Sequence, residues 1–191
     1  MILSDFLKTI VPFPQEEITG IVSHFKKETI KKNQNLVKEG QICNKLYFVE
    51  KGIGRSFYLK EDGKEVTQWF FIESKMMSSV ESFFQQVPSL YYLQMLEDSV
   101  VHSIKRDDID FLFAKYHNME KFGRLLSTEM LTRVVNKLNA LQFQTARERY
   151  DYMLTEFPDL STRVPLGYIA SYLGMSQETL SRIRRYDTNK Q

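Results

Sequence analysis

A chain of 191 residues, 42% hydrophobic and 26% charged, is long enough for a sizeable core and has the balance of a globular protein, not of a disordered or fibrous one. Its one cysteine, Cys43, excludes an intrachain disulfide and any cluster held by this chain's thiolates alone, so a reducing, cytoplasmic setting is expected. The formal net charge of +2 hides an asymmetry: residues 1–118 carry 15 basic and 16 acidic side chains, residues 119–159 six of each, and the last 32 five basic against two acidic. The net positive charge sits at the C-terminal end, where a polyanion would bind.

The opening "MILSDFLKTIVPFPQEE" has acids and prolines where a secretory leader needs a basic start and an unbroken apolar run. No run of 18 apolar residues follows, so no membrane partner is expected. Residues 14–26, "PQEEITGIVSHFK", place Ile18, Ile21, Val22 and Phe25 at helical spacing behind two acids, a short amphipathic helix. From about 29 to 105 the pattern changes to strands. "KLYFVE", "GRSFYLK" and "EVTQWFFI" are parted by turn residues such as "KG" and "EDGK", which predicts an antiparallel sandwich or jelly roll.

Between Asn118 and Leu141, the residues Met119, Phe122, Leu126, Met130, Val134 and Leu138 recur every three or four positions, with Leu125, Leu131 and Val135 as a flanking stripe. A helix this broadly apolar needs more cover than one small β domain supplies, which predicts a dimerisation helix over 118–141, paired with a second copy of itself. A bend near Gln142–Gln144 leads into a further helix ending before Pro158.

The segment "LGYIASYLGMSQETLSRIRR", residues 166–185, reads as two short helices around Gly174. Ile169 and Leu173 point inward from the first helix, and Leu180 and Ile183 from the second. Ala170 is small where the helices cross, and Ser176 caps the second helix. The other side of that helix then presents Gln177, Glu178, Ser181 and Arg182, residue types that read base edges in a major groove. Arg163, Ser176, Thr179, Arg184 and Arg185 are the candidate contacts to the DNA backbone. The hairpin, or wing, that supports many such modules is expected to be missing, because only "YDTNKQ" follows.

With "IASYLGMSQETLSRIRR" in hand, the chain resembles the CRP/FNR family of bacterial transcription regulators over nearly its whole length. The Ile-Ala, the Leu-Gly and the Glu-Thr-aliphatic-Ser-Arg core are each present. The resemblance implies an α+β fold: an N-terminal antiparallel β-roll (a double-stranded jelly roll like cyclic-nucleotide-binding domains) over 1–117, the long dimerisation helix over 118–141, and a helix-turn-helix domain lacking a full wing over 142–191. It implies Glu178, Ser181 and Arg182 as base readers, a homodimer on an inverted repeat of double-stranded DNA, and RNA polymerase as a further partner.

Receptors of this fold that bind cyclic nucleotides hold the phosphate with an arginine and the ribose with a glutamate. Here Ser89 and Ser79 align at those positions, and between Lys75 and Lys105 only His102 can become cationic. Cyclic AMP is therefore not expected as the ligand, nor is any other cofactor, and a small-molecule effector stays open. The aromatic residues of the roll are read first as core; an effector pocket, if one exists, takes Arg55, Trp69, Phe83 and Tyr92. No nucleophile elbow, phosphate loop or metal-ligand spacing appears, so an enzyme is not expected. The alternative function is a regulatory interaction module whose helix-turn-helix contacts a protein instead of DNA.

Overall fold

A computed structural model describes residues 1–188, with side chains as far as Arg185. Two short helices come first, α1 (Leu3–Ile10) and α2 (Gln15–Ser23). Leu3, Phe6 and Leu7 share the buried side of α1, and the acids Glu16 and Glu17 open α2 at the positive end of its dipole. The strands are β1 (Lys26–Ile30), β2 (Asn35–Val37), β3 (Lys45–Lys51), β4 (Gly54–Leu59), β5 (Glu65–Phe71) and β6 (Met76–Met77). After the helix α3 (Val80–Gln85) come β7 (Tyr92–Met95) and β8 (Ser99–Lys105). The rest is helical: α4 (Arg106–Lys115), α5 (His117–Phe143), α6 (Ala146–Glu156), α7 (Leu160–Arg163), α8 (Leu166–Tyr172) and α9 (Gln177–Thr188).

The strands form two four-stranded sheets, in the orders β1-β8-β3-β6 and β2-β7-β4-β5. In the first, Phe48 pairs with His102 and Val49 with Val101. Because side chains alternate between faces, this register sends Val49 and Val101 one way and Phe48 the other. Phe48 meets Phe6 of α1 at 5.0 Å between ring centroids, and Phe6 meets Phe122 of α5 edge-on at 6.0 Å. The helices therefore cover the outer face of this sheet, and Val49 and Val101, both fully buried, face into the roll. Gly54 lines the same interior from β4, where a Cβ would stand 2.6 Å from the sulfur of Met77 and 3.1 Å from that of Met95.

This packing corrects the predicted dimer face. Met119 and Phe122, at 1% and 3% exposure, are buried inside one chain; Phe122 packs on Phe6 and Phe13. The apolar stripe is open to solvent only further along α5. Leu126 is half-buried, while Met130, Val134 and Leu138 are exposed together with Leu131, Val135, Leu141 and Phe143.

The boundaries differ from the predicted three-part division. The helix α5 begins one residue before 118 and ends two after 141, and the chain divides into two compact units within it. One unit is Met1–Ser56 with Phe70–Met130. The other is Phe57–Trp69, the tip of the β4–β5 hairpin, with the chain from Leu131 onward. The tip belongs to the second unit for visible reasons: the Thr67 N–H donates to Ser171 Oγ of α8 at 3.0 Å, and Trp69 meets Tyr172 edge-on at 6.4 Å. At the predicted bend, α5 stops at Phe143 and Thr145 starts α6 with a capping box. Its hydroxyl accepts from the Glu148 N–H while the Glu148 carboxylate accepts from the Thr145 N–H.

Candidate nucleic-acid interface

In the second unit α8 and α9 pack on each other and α6 packs on α9. Ile169, Ala170, Leu173 and Leu180 are buried, and Ile183 is half-buried. Fully burying an aliphatic side chain of this size stabilises by about 1.5–3 kcal/mol, so this small core is what fixes the angle of α9. Gly174 turns the chain with φ +65°, and the Met175 N–H closes the turn on the Ala170 carbonyl at 3.0 Å. A Cβ on Gly174 would also stand 3.1 Å from Leu141, so both the backbone and the space select glycine. Ser176 caps α9 by accepting the Thr179 N–H at 3.1 Å.

The free face of α9 carries Gln177, Glu178 and Arg182, all exposed, with Ser181 half-buried beside them. Arg184 and Arg185 are exposed further along the helix. The Glu178 carboxyl is held below the usual carboxylate range by its own backbone N–H and the Ser176 hydroxyl, with Lys64 and Arg182 adding positive field. Of the predicted backbone contacts, Ser176 and Thr179 lie at the start of α9, their hydroxyls 3.1 Å apart, and Arg163 is the half-buried last residue of α7. The expectation about a wing concerns residues after α9 and, like the charge of Lys190, lies outside the described residues.

The predicted effector residues are divided between the two units and, within the roll, between different faces. Alternation along β4 and β7 places Gly54, Leu93 and Met95 toward the interior of the roll, and Arg55, Tyr92 and Gln94 on the opposite face. There the Arg55 Nε and Nη2 donate to Gln94 Oε1 at 3.1 and 2.9 Å. Arg55 is fully buried, with its guanidinium engaged by Gln94 on that face. Phe83 is fully buried on α3 against Phe84, and Trp69 lies in the second unit.

At the aligned nucleotide positions, Ser79 and Ser89 are buried and hydrogen-bonded to each other at 2.9 Å, and the Ser89 hydroxyl donates to the Tyr91 carbonyl at 2.7 Å. Ser82 extends this neutral cluster, accepting from the Cys43 N–H at 2.8 Å and donating to the Val87 carbonyl at 2.6 Å. His102 turns outward to Glu50, and Arg106 Nη1 donates to the Phe83 and Phe84 carbonyls at the far end of α3. These residues do not fit a cyclic nucleotide: the hydroxyls bond one another and backbone groups, and among the described residues no Lys or Arg is bonded to them. Among the described residues no group of three His, Cys, Asp or Glu side chains forms a metal site.

Sequence reasoning passed over a cavity inside the second unit. Arg133 and Lys137 from α5, Arg149 and Glu156 from α6, Tyr172 from α8 and Trp69 from the hairpin tip all line it. Four separate elements supply these residues, so no spacing in the sequence brings them together.

A family profile described as Cyclic nucleotide-binding domain matches residues 27–116. The chain is 30% identical over 175 residues to the Fumarate and nitrate reduction regulatory protein of Yersinia pestis, covering 83% of this chain and 67% of that one. It is 29% identical over 172 residues to the Anaerobic regulatory protein of Haemophilus influenzae, covering 83% of this chain but 65% of that longer protein. Among solved structures, FixK2 from Bradyrhizobium japonicum superposes with a TM-score of 0.74 at 19% identity, over 87% of this chain and 85% of that one. Thermus thermophilus catabolite activator protein does so at 0.60 and 20% identity, over 97% and 87%. No helix among the described residues is long and apolar enough to cross a membrane. A β-roll followed by a long helix and a helix-turn-helix, matched along most of the chain by these relatives, makes this protein a member of the CRP/FNR family of regulators.

Proposed function

We propose that the chain is a homodimeric, sequence-specific DNA-binding regulator of transcription that works on an inverted repeat and without cyclic AMP. The helix α9 carries this reading: a rigidly capped helix held on a buried core presents Gln177, Glu178 and Arg182 to solvent, beside the cations Arg184 and Arg185. Arg grips guanine O6 and N7 in a bidentate fork, and a carboxylate accepts from cytosine N4. The lowered Glu178 pKa supports that acceptor role, because the side chain stays ionised at neutral pH.

The solvent-exposed stretch of α5, from Met130 to Phe143, supports pairing with a second copy. Seven large apolar side chains on one helix stretch are costly to leave in water, and a two-fold partner covers the same stretch on both chains. Two copies of α9 related by that two-fold would enter successive major grooves roughly 34 Å apart. The relatives named above are regulators, and RNA polymerase is the partner through which such a dimer would act.

Selection of genomic fragments by the purified protein tests the reading, and a recovered inverted repeat is the expected result. Enrichment of no sequence at low salt, where phosphate contacts are strongest, would instead favour a helix-turn-helix that contacts protein.

A further inference from the structure

The cavity in the second unit has a composition that neither a DNA reader nor a dimer requires. Its volume is about 40 Å³, room for roughly three water molecules. Lys137 enters it from α5. Its ammonium lies 3.9 Å from the centroid of the Tyr172 ring and 5.1 Å from that of Trp69, and donates to the Gln68 carbonyl. Among the described residues no carboxylate lies within ion-pair distance of it, and the one acid on the wall, Glu156, is 3.8 Å from Arg133. Arg149 adds a second positive charge, fixed in place because Nε donates to the Leu173 carbonyl at 2.8 Å and Nη1 to the Gln144 carbonyl at 2.7 Å. The remaining wall is largely apolar and includes Leu141 and Met153.

We propose that this cavity binds a short-chain monocarboxylate, its carboxylate between Lys137 and Arg149 and its alkyl end against Leu141 and Met153. Charge sets the class: a part-buried ammonium without a counter-ion gains one, and a bound carboxylate gains charge-assisted hydrogen bonds. Volume sets the size, near that of acetate or propionate. The ligand would touch the hairpin tip, α5, α6 and α8 together, all of them parts of the second unit. The site stands apart from the reading of α9, since it is tested by binding to the protein alone.

Protonation gives the proposal a signature. Burial draws the Lys137 pKa down to about 7. The charged and titratable groups facing it are Arg133 on its own helix, Arg149, Tyr152 and Glu156 on α6, and Tyr172 on α8, while the hairpin lines the cavity with Trp69. The Tyr172 phenol is pushed up by burial and stays neutral throughout. A bound carboxylate favours the ammonium, so binding takes up a proton wherever the free site has lost it.

Isothermal titration of the full chain with propionate is the test, with 1-propanol as the neutral isostere. With so few ligand atoms, dissociation constants of roughly high-micromolar to millimolar are the range to search. Propionate is expected to bind about tenfold more weakly at about pH 8 than at about pH 6, with close to one proton taken up at the higher pH, read from heats in two buffers of different ionisation enthalpy. Lys137→Met is expected to abolish binding. If that variant does not fold, the buffer-dependent heat of the unmodified chain decides the matter. Equal binding of propanol, saturation without proton uptake, unchanged affinity in a folded Lys137→Met, or no heat with propionate at about 50 mM would each overturn the proposal.

Discussion

The two units treat buried polarity in opposite ways. In the first, Ser79, Ser82 and Ser89 are buried but neutral, and each hydroxyl spends its hydrogen bonds on another serine or on a backbone carbonyl. In the second, Lys137 has no carboxylate beside it among the described residues, and Arg182 and Arg185 stand exposed on α9. A satisfied hydroxyl cluster asks nothing of a ligand, whereas an unneutralised cation does. The family profile is named for nucleotide binding and matches residues 27–116, yet the buried serine cluster within it is neutral. A fold can keep the outline of a binding domain after the charges that made it one are gone.

Several measurements would break or sharpen this contrast. The largest effect is expected from Leu180→Ala. It empties a fully buried position in the core beneath α9 and should cost about 2–5 kcal/mol in a denaturant melt of the second unit, leaving the first unit's transition in place. A single unchanged transition would show that this core does not hold α9.

Next comes the reading helix itself. Arg182→Ala should lose about 1–3 kcal/mol on the selected DNA and little on random DNA, and Arg185→Ala should weaken both alike. Equal losses by both variants on both DNAs would remove the distinction between base reader and phosphate contact. In the neutral cluster, Ser89→Ala removes the donor to the Tyr91 carbonyl and a partner of Ser79. It should lower the stability of the first unit by about 1–3 kcal/mol, and cyclic AMP should give no calorimetric signal before or after the change. Thr145→Ala removes the capping box between α5 and α6, with an expected cost of about 1 kcal/mol in the melt of the second unit.

One further effect is a slope. The folded Lys137 pKa, about 7, lies below the ordinary lysine value, so between those two pH values the unfolded chain holds more protons. Stability of the second unit should therefore rise as pH rises from about 7 toward 10 and be flat below. Lys137→Met should lose the rise.

Much of this was legible in the sequence because it depends on local spacing. The strand runs, the long helix with its bend before Thr145, and the turn at Gly174 each follow from neighbours a few residues apart, and the structure has them in place. The helix α1 carried a readable signal too, in the spacing of Leu3, Phe6 and Leu7. The misplaced part of the dimer face has a different cause. Met119 and Phe122 have the same periodicity as Val134 and Leu138, and only the arrival of Phe6 and Phe13 from more than 100 residues away separates buried from exposed. The face on which Arg55 lies has no local signal, because strand alternation assigns faces only once the register is known. The cavity around Lys137 gave no local signal at all.

The open stretch of α5 sets how such a regulator would respond to its own abundance. If half of the reading surface arrives with each chain, the inverted repeat is occupied by pairs, and below the dimer dissociation constant the number of pairs grows as the square of the chain concentration. A twofold rise in synthesis then gives about a fourfold rise in pairs. The cell's control over copy number would then be an input in its own right, built from the same residues that leave Leu131 and Phe143 in water.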